Sequence, residues 1–263
     1  MSSFNWRTHG NLVVLFILLA ILALNSPHVL QPSNVANVIG QAAVMGICAI
    51  GMTFVILTGG IDLSVGSVVA LTGAFGAWLN VAVGFPWPAA WALAILAGAT
   101  CGLVSGLLVQ WGRVPPFMAT LAMMAAARGL TLLLTQGNPV SGTSPAFNYA
   151  GWASIGGFPV SGYILFACAL AAWTTLQFTP FGTGVYVVGD NREAAHFAGI
   201  RTGAVTVAVY TISGATAGLA GLLMVGRLWS AQPSIGLGLE LDVIASVVLG
   251  GTSLFGGVGT IQG

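Results

Sequence analysis

Residues 89–111, AAWALAILAGATCGLVSGLLVQW, hold no charged side chain. At about 1.5 Å of rise per residue, about 20 such residues cross the hydrocarbon of a bilayer. Residues 11–24, NLVVLFILLAILAL, repeat the pattern near the start of the chain. Neither run alternates apolar with polar residues, as the roughly ten-residue strands of a membrane barrel do. Backbone groups in lipid have no water to bond, so only helices or closed barrels span it. These runs therefore select helices.

The rest of the chain agrees. It is 57% hydrophobic and 4% charged over 263 residues, with a mean hydropathy of +0.97. Ordinary soluble domains carry about 25% charged residues. The fold class expected is all-α, a polytopic helical membrane protein with about eight transmembrane helices. Candidate spans fall at about 10–25, 35–59, 63–83, 88–111, 117–136, 160–178, 203–226 and 241–261. Turn chemistry separates them: Asn25-Ser26-Pro27, Gly59-Gly60, the GFPWP of 84–88, the GRVPP of 112–116, and Gly137-Asn138-Pro139. Residues 137–159, uncharged and rich in Gly, Pro and Ser, read as the longest loop on the far side. No linker divides the chain, so residues 1–263 read as one transmembrane domain.

Six arginines and no lysine supply all the positive charge. Scattered arginines form no basic stripe, which excludes a nucleic-acid partner. The missing lysine excludes a P-loop, whose lysine reaches the β and γ phosphates. Any ATP that drives this protein is bound by another subunit, and no cofactor is expected in this chain. Cys48, Cys101 and Cys168 lie in apolar runs and read as small buried hydrophobes. Residues 11–24 lack a small-residue cleavage site after them and read as the first membrane helix. With the N-terminus inside, Arg7, Arg113, Arg192 and Arg201 fall on the inner side and Arg227 near an outer end, as the positive-inside rule requires. Arg128 sits within an apolar run, where it either snorkels to an interface or pairs.

Two stretches carry candidate function. The first is residues 58–66, TGGIDLSVG. The glycines end one helix, and Asp62 or Ser64 caps the next through an oxygen that accepts from free N–H groups. Asp62 is either a cap in a surface turn or an acid in a broken helix inside the membrane, where its cost implies a purpose. The second is residues 179–203, a polar island that holds Asp190, Arg192, Glu193 and Arg201. Within it, Asp190 to Gly199 reads as a short helix with Asp190 or Asn191 as N-cap and Gly199 as stop. Glu193 near its start suits the helix dipole. Ala194, Ala195 and Ala198 form a small-residue face, and Phe197 is a candidate anchor for a partner. His196 is a pH switch or merely solvated. Asn34, Asn37 and Gln41 share one helical face, where amides serve either a hydroxyl-rich solute or helix–helix hydrogen bonds. Gly98, Gly102 and Gly106, with Gly214 and Gly218, have the spacing of close helix packing.

The stretch GMTFVILTGGIDLSVGSVVALTGA (51–74) closely resembles the signature of permease subunits of bacterial ABC importers for monosaccharides, which include the ribose, xylose and arabinose permeases. PPFMATLAMMAAARGL (115–130), YVVGDNREAAHFAGI (186–200) and VVLGGTSLFGGVGT (247–260) continue the resemblance. It implies a fold of about ten helices, relative to which this chain is C-terminally truncated. It implies a permease subunit in the bacterial inner membrane with its N-terminus cytoplasmic. It implies as partners an ABC ATPase docking on the cytoplasmic coupling loop at about 179–203, a second protomer, identical or not, and a periplasmic or lipid-anchored sugar-binding protein. Transport is then alternating access, without catalysis in this chain. Permeases for nucleosides or branched-chain amino acids are related alternatives. An ion-coupled secondary transporter with Asp62 as its coupling acid is the rival mechanism.

Overall fold

The computed structural model describes residues 6–26 and 28–263, with side chains from Phe16 onward. Pro27 and the side chain of Arg7 lie outside this set. Eleven helices and four two-residue strands follow in chain order: α1 (Trp6–Asn25), α2 (Pro32–Leu57), α3 (Val65–Val81), α4 (Trp87–Gln110), α5 (Pro116–Thr135), β1 (Val140–Ser141), α6 (Pro145–Trp152), β2 (Ser154–Ile155), β3 (Phe158–Pro159), α7 (Val160–Phe178), α8 (Pro180–Asp190), α9 (Arg192–Phe197), α10 (Thr202–Leu228), β4 (Ser230–Ala231) and α11 (Leu239–Leu249). Proline opens α2, α4, α5, α6 and α8, at positions where its missing N–H costs nothing.

Helices α2, α4, α5, α7 and α10 are long and apolar enough to cross a bilayer, and α3 and residues 16–25 of α1 are shorter apolar segments. The bundle is organised around α2 and α10, which have 67% and 56% of their apolar stretches buried, against 28%, 22% and 22% for α4, α5 and α7. What α4, α5 and α7 leave outward is the surface that lipid covers.

The most extensive helix pair is α4 with α10. A Cβ at Gly98 or Gly102 would strike the carbonyl of Gly214 or Tyr210, and one at Gly106 would lie 2.9 Å from the Cα of Val207. The glycine spacing is therefore a packing seam within the chain. Because 98, 102 and 106 meet 214, 210 and 207 in reverse order, the two helices run antiparallel. Gln110 and Thr202 thus share one end of the bundle with α8 and α9, and Trp87 and Leu228 share the other.

Three segments depart from the sequence expectation. The eighth span, expected over 241–261, is an 11-residue helix, α11, about 16 Å long and half a bilayer. Beyond it the backbone takes positive φ at Gly251, Gly256 and Gly257, a conformation no helix continues through. The expected loop at 137–159 holds α6 and three of the strands. β1 pairs antiparallel with β4 and β2 with β3. Phe147 and Asn148 of α6 are fully buried, so this segment plugs the end of α10 near Arg227. In the island at 179–203, the short helix expected over 190–199 is α9, and a second helix, α8, which was not expected, precedes it.

Candidate functional site: a buried break, an exposed arm and an outer cavity

Helix α2 stops at Thr58, and Gly59 turns the chain with φ of 77°. Asp62 follows, only 1% exposed. One carboxylate oxygen accepts from the Ser64 N–H at 2.9 Å and from the Ser64 hydroxyl at 2.6 Å. The other accepts from the Ser213 hydroxyl of α10 at 2.7 Å. Ser213 lies about 16 Å of helix beyond Thr202, at about 1.5 Å per residue. Asp62 is thus buried inside the bundle rather than exposed in a surface turn. Three donors converge on the carboxylate oxygens of Asp62. Ser64 occupies the N-cap position of α3 without a side-chain cap bond; its hydroxyl goes to Asp62 instead. The buried Tyr210 hydroxyl stands against Gly60.

The break is tied to the arm. The Gly257 N–H donates to the Leu57 carbonyl at 3.0 Å, and the Tyr186 hydroxyl donates to the Gly259 carbonyl at 2.9 Å. Gly189 is pressed against the Leu57 carbonyl so closely that a Cβ there would overlap it. The rings of Phe54 on α2 and Phe181 on α8 stack at 6.3 Å. Residues 251–259 therefore fasten the end of α2 to α8.

At the arm, Asp190 ends α8 and Asn191 caps α9, its side chain accepting from the Ala194 N–H at 2.9 Å. Gly199 stops it with φ of 80°. Glu193 occupies the first turn, and Arg192 donates to the Gln110 side chain. Phe197 is 88% exposed. Arg192, Glu193, His196, Phe197 and Thr202 line a cavity of ≈ 480 Å³. Ala195 does not share the outward face with Ala194. It is fully buried and packs with Val185, Val188 and Val205 of the chain's own core.

The polar face of α2 divides. The Asn34 amide donates to the Val29 carbonyl at 3.0 Å, which holds the helix entry. Asn37 lines a cavity of ≈ 580 Å³ and Gln41 another of ≈ 520 Å³. Both cavities are also lined by Arg227, at the end of the bundle opposite α9. The sequence reading did not single out Arg227, Trp152 or Ser213 as site residues. The lone arginine at its end of the bundle was a usable signal for the first; nothing in the sequence links the others to Asn37 or Asp62. Arg128 pairs with backbone carbonyls. It donates to the Pro233 and Ile235 carbonyls at 2.7 and 2.9 Å, which holds the loop before α11. The three cysteines are free, and among the described residues no three His, Cys, Asp or Glu side chains cluster as metal ligands would.

The arrangement has two ends, one an open polar cavity and the other an exposed arm, with a buried helix break between them. Comparison with known proteins gives the same direction. The ribose import permease RbsC of Escherichia coli K12 is 45% identical over 257 residues, covering 96% of this chain and 80% of that protein. RbsC of Bacillus subtilis is 44% identical over 260 residues, covering 97% and 79%. The D-allose transport system permease AlsC of Escherichia coli K12 is 37% identical over 257 residues, covering 97% and 79%. No solved structure matches. The profile of one family, described as branched-chain amino acid transport system / permease component, matches residues 34–261, and the chain belongs to that family.

Proposed function

We propose that residues 1–263 act as one permease unit of an ABC importer that moves a monosaccharide across the bacterial inner membrane. The carrying observation is a likeness of 37–45% to permeases named for ribose and D-allose, spread over 96–97% of the chain. The family's description names amino acids, but these relatives and the amide- and arginine-lined outer cavity favour a sugar. The chain catalyses no reaction. Lacking lysine, it holds no P-loop, so a separate ATPase supplies the energy.

The ATPase docks on α9, where Glu193, Ala194 and the exposed Phe197 offer a charged rim around an aromatic anchor. Arg113, Arg192 and Arg201 lie at that end of the bundle, and the positive-inside rule then makes it, with the N-terminus, cytoplasmic. A second permease protomer completes the passage, and a periplasmic or lipid-anchored binding protein delivers the sugar to the opposite end. Asn37 and Gln41 face the outer passage; Asp62 and Ser64 hold the hinge. Closure of the ATPases pulls on α9, and the 251–259 tie carries that pull to the end of α2.

Reconstitution of the chain with its ATPase and binding protein tests the reading. ATP-dependent uptake of labelled pentose or hexose is expected only when all parts are present. Uptake that follows a proton gradient without the ATPase overturns it. Glu193→Lys is expected to weaken ATPase association while membrane insertion persists.

A further inference from the structure

The cavity at the end opposite α9 holds an unused cation. Its walls include Ser33 and Asn37 from the start of α2, Trp152 and Ser154 from the plug, and Arg227 from the end of α10. No carboxylate lines it. Among the described residues neither the Arg227 guanidinium nor the Asn37 amide has a hydrogen-bond or ion-pair partner. Of the other arginines, Arg128 donates to two carbonyls and Arg192 to Gln110. The space around Arg227 is made by glycine. A Cβ at Gly40 would lie 2.9 Å from an Arg227 terminal nitrogen, and one at Gly151 would lie 2.5 Å from the Arg227 backbone nitrogen. The buried Ser161 hydroxyl, also without a partner, stands 3.6 Å from that same Gly40 position. The cavity volume of ≈ 580 Å³ falls within the range of about 300–1,000 Å³ usual for ligand sites.

We propose that this cavity is a binding site for one neutral monosaccharide, with Arg227 and Asn37 as its specificity-determining residues. The inference rests on the import reading and adds to it a place where the permease itself holds sugar. A guanidinium offers five donors in a fixed fork and accepts nothing, so it reads a pair of neighbouring hydroxyl oxygens. The amide of Asn37 both donates and accepts, and the Ser33 and Ser154 hydroxyls do likewise. The indole of Trp152, 53% exposed and set against Trp229 with ring centres 5.8 Å apart, gives the apolar C–H face of a sugar ring a flat surface. Neutrality follows from the need to release. An anion paired with an unshielded arginine in a low-dielectric wall would be held tightly, whereas a carrier site must let its solute leave. Arg227 also borders the second cavity with Gln41, so a turn of one side chain passes bound hydroxyls from Asn37 toward Gln41.

The test uses the whole chain in lipid nanodiscs and needs no partner subunit. Saturation-transfer NMR with D-ribose and D-allose, with erythritol as a small polyol control, reads binding directly. Wild type is expected to transfer saturation to the two sugars. Arg227→Ala is expected to weaken binding about tenfold, the loss of roughly one charged hydrogen bond, and Arg227→Lys to recover part of it. Trp152→Phe is expected to retain binding and Trp152→Ala to lose it, with the melting temperatures of all variants compared to exclude misfolding. Equal sugar signals in wild type and a folded Arg227→Ala variant overturn the site while leaving the import reading intact. Absence of sugar signal from a wild-type chain that supports ATP-dependent uptake does the same. Sugar binding that depends on Arg227, in a chain whose uptake needs no ATPase, upholds the site and overturns the import reading.

Discussion

The seam between α4 and α10 and the arm α9 are both rich in small residues, and they use them in opposite ways. In the seam, glycines at 98, 102 and 106 are buried against backbone atoms of α10. Small size there converts into contact, since in lipid van der Waals packing rather than water drives helices together. In α9, Ala195 alone is buried, while Ala194, Phe197 and Ala198 stay outside. Small size there clears the ground around one aromatic ring. The same residue class thus makes a rigid element where both faces of the contact belong to the chain, and an open one where the second face is missing. On the import reading proposed above, the seam is the frame against which the arm moves.

The strongest way to break this contrast is Gly102→Leu. A Cβ at 102 already overlaps the Tyr210 carbonyl, and backbone cannot step aside as a side chain can. Overpacking costs about 1–3 kcal/mol where side chains give way, so a cost of at least about 3 kcal/mol is expected here. The expected readout is loss of the monodisperse peak in detergent size-exclusion chromatography. Gly129→Ala on α5 is the control, since nothing stands within 4 Å of its new methyl; it is expected to be neutral or mildly stabilising, because glycine inside a helix costs about 0.5–1 kcal/mol. A well-behaved Gly102→Leu protein would show that the seam tolerates separation and is not a frame.

Asp62→Ala ranks next. It strands the Ser64 N–H, the Ser64 hydroxyl and the Ser213 hydroxyl in a dry site, and a buried unsatisfied group costs about 1–3 kcal/mol. A destabilisation of about 2–3 kcal/mol is expected, above the roughly 1 kcal/mol of a lost surface cap, with Asp62→Asn in between. Thermal denaturation in detergent measures it. A loss no larger than that of a surface cap would mean that water reaches the break.

Asp62 also shows where the sequence stopped being legible. Helix–break–helix at 58–64 is written locally, in two glycines followed by polar residues, and the break forms where read, although Ser64 makes no side-chain cap bond to α3. The depth of the break is not local: it is set by Ser213, 151 residues away, which no spacing rule connects to Asp62. The glycine seam was readable because both halves keep a spacing of four. The half-length α11 was not, because its apolar composition runs on through 261 while the turns at Gly256 and Gly257 are set by close approach to Gly59, Gly189 and Asp190. At the arm, the cap and stop of α9 were readable from Asn191 and Gly199, but the inward turn of Ala195 follows from how α8 and α10 flank it. In the outer cavity, Asn37 and Gln41 could be named from helical periodicity. Arg227 and Trp152 join them only because α6 folds back over the end of α10.

Phe197→Ala sharpens the other side of the comparison. With the ring 88% exposed, its removal takes nothing from the chain's own core, so the melting temperature of the isolated permease is expected to stay put. If the ring anchors an ATPase, its loss is expected to cost about 2 kcal/mol of association, the scale of a hot-spot residue, or roughly 30-fold in affinity. Pull-down with the ATPase and ATP-dependent uptake measure both effects. Unchanged association moves the docking surface off α9.

The smallest expected effect is that of Asn191→Ala. The Asn191 side chain satisfies the Ala194 N–H, and loss of such a cap costs about 1 kcal/mol. A helix of six residues has no stability of its own, and this cap, the Arg192 bond to Gln110 and the burial of Ala195 help to hold α9 formed. Removing one of three supports is expected to loosen the arm without touching the frame. Hydrogen exchange of the α9 amides rises about fivefold, consistent with that loss, while exchange in α4 and α10 is unchanged and Asn191→Asp behaves as wild type. Faster exchange spreading into α10 would mean that arm and seam are one cooperative unit. Movement of α9 would then be paid for throughout the bundle, and the 251–259 tie would be only one of several routes by which that movement reaches the break at Asp62.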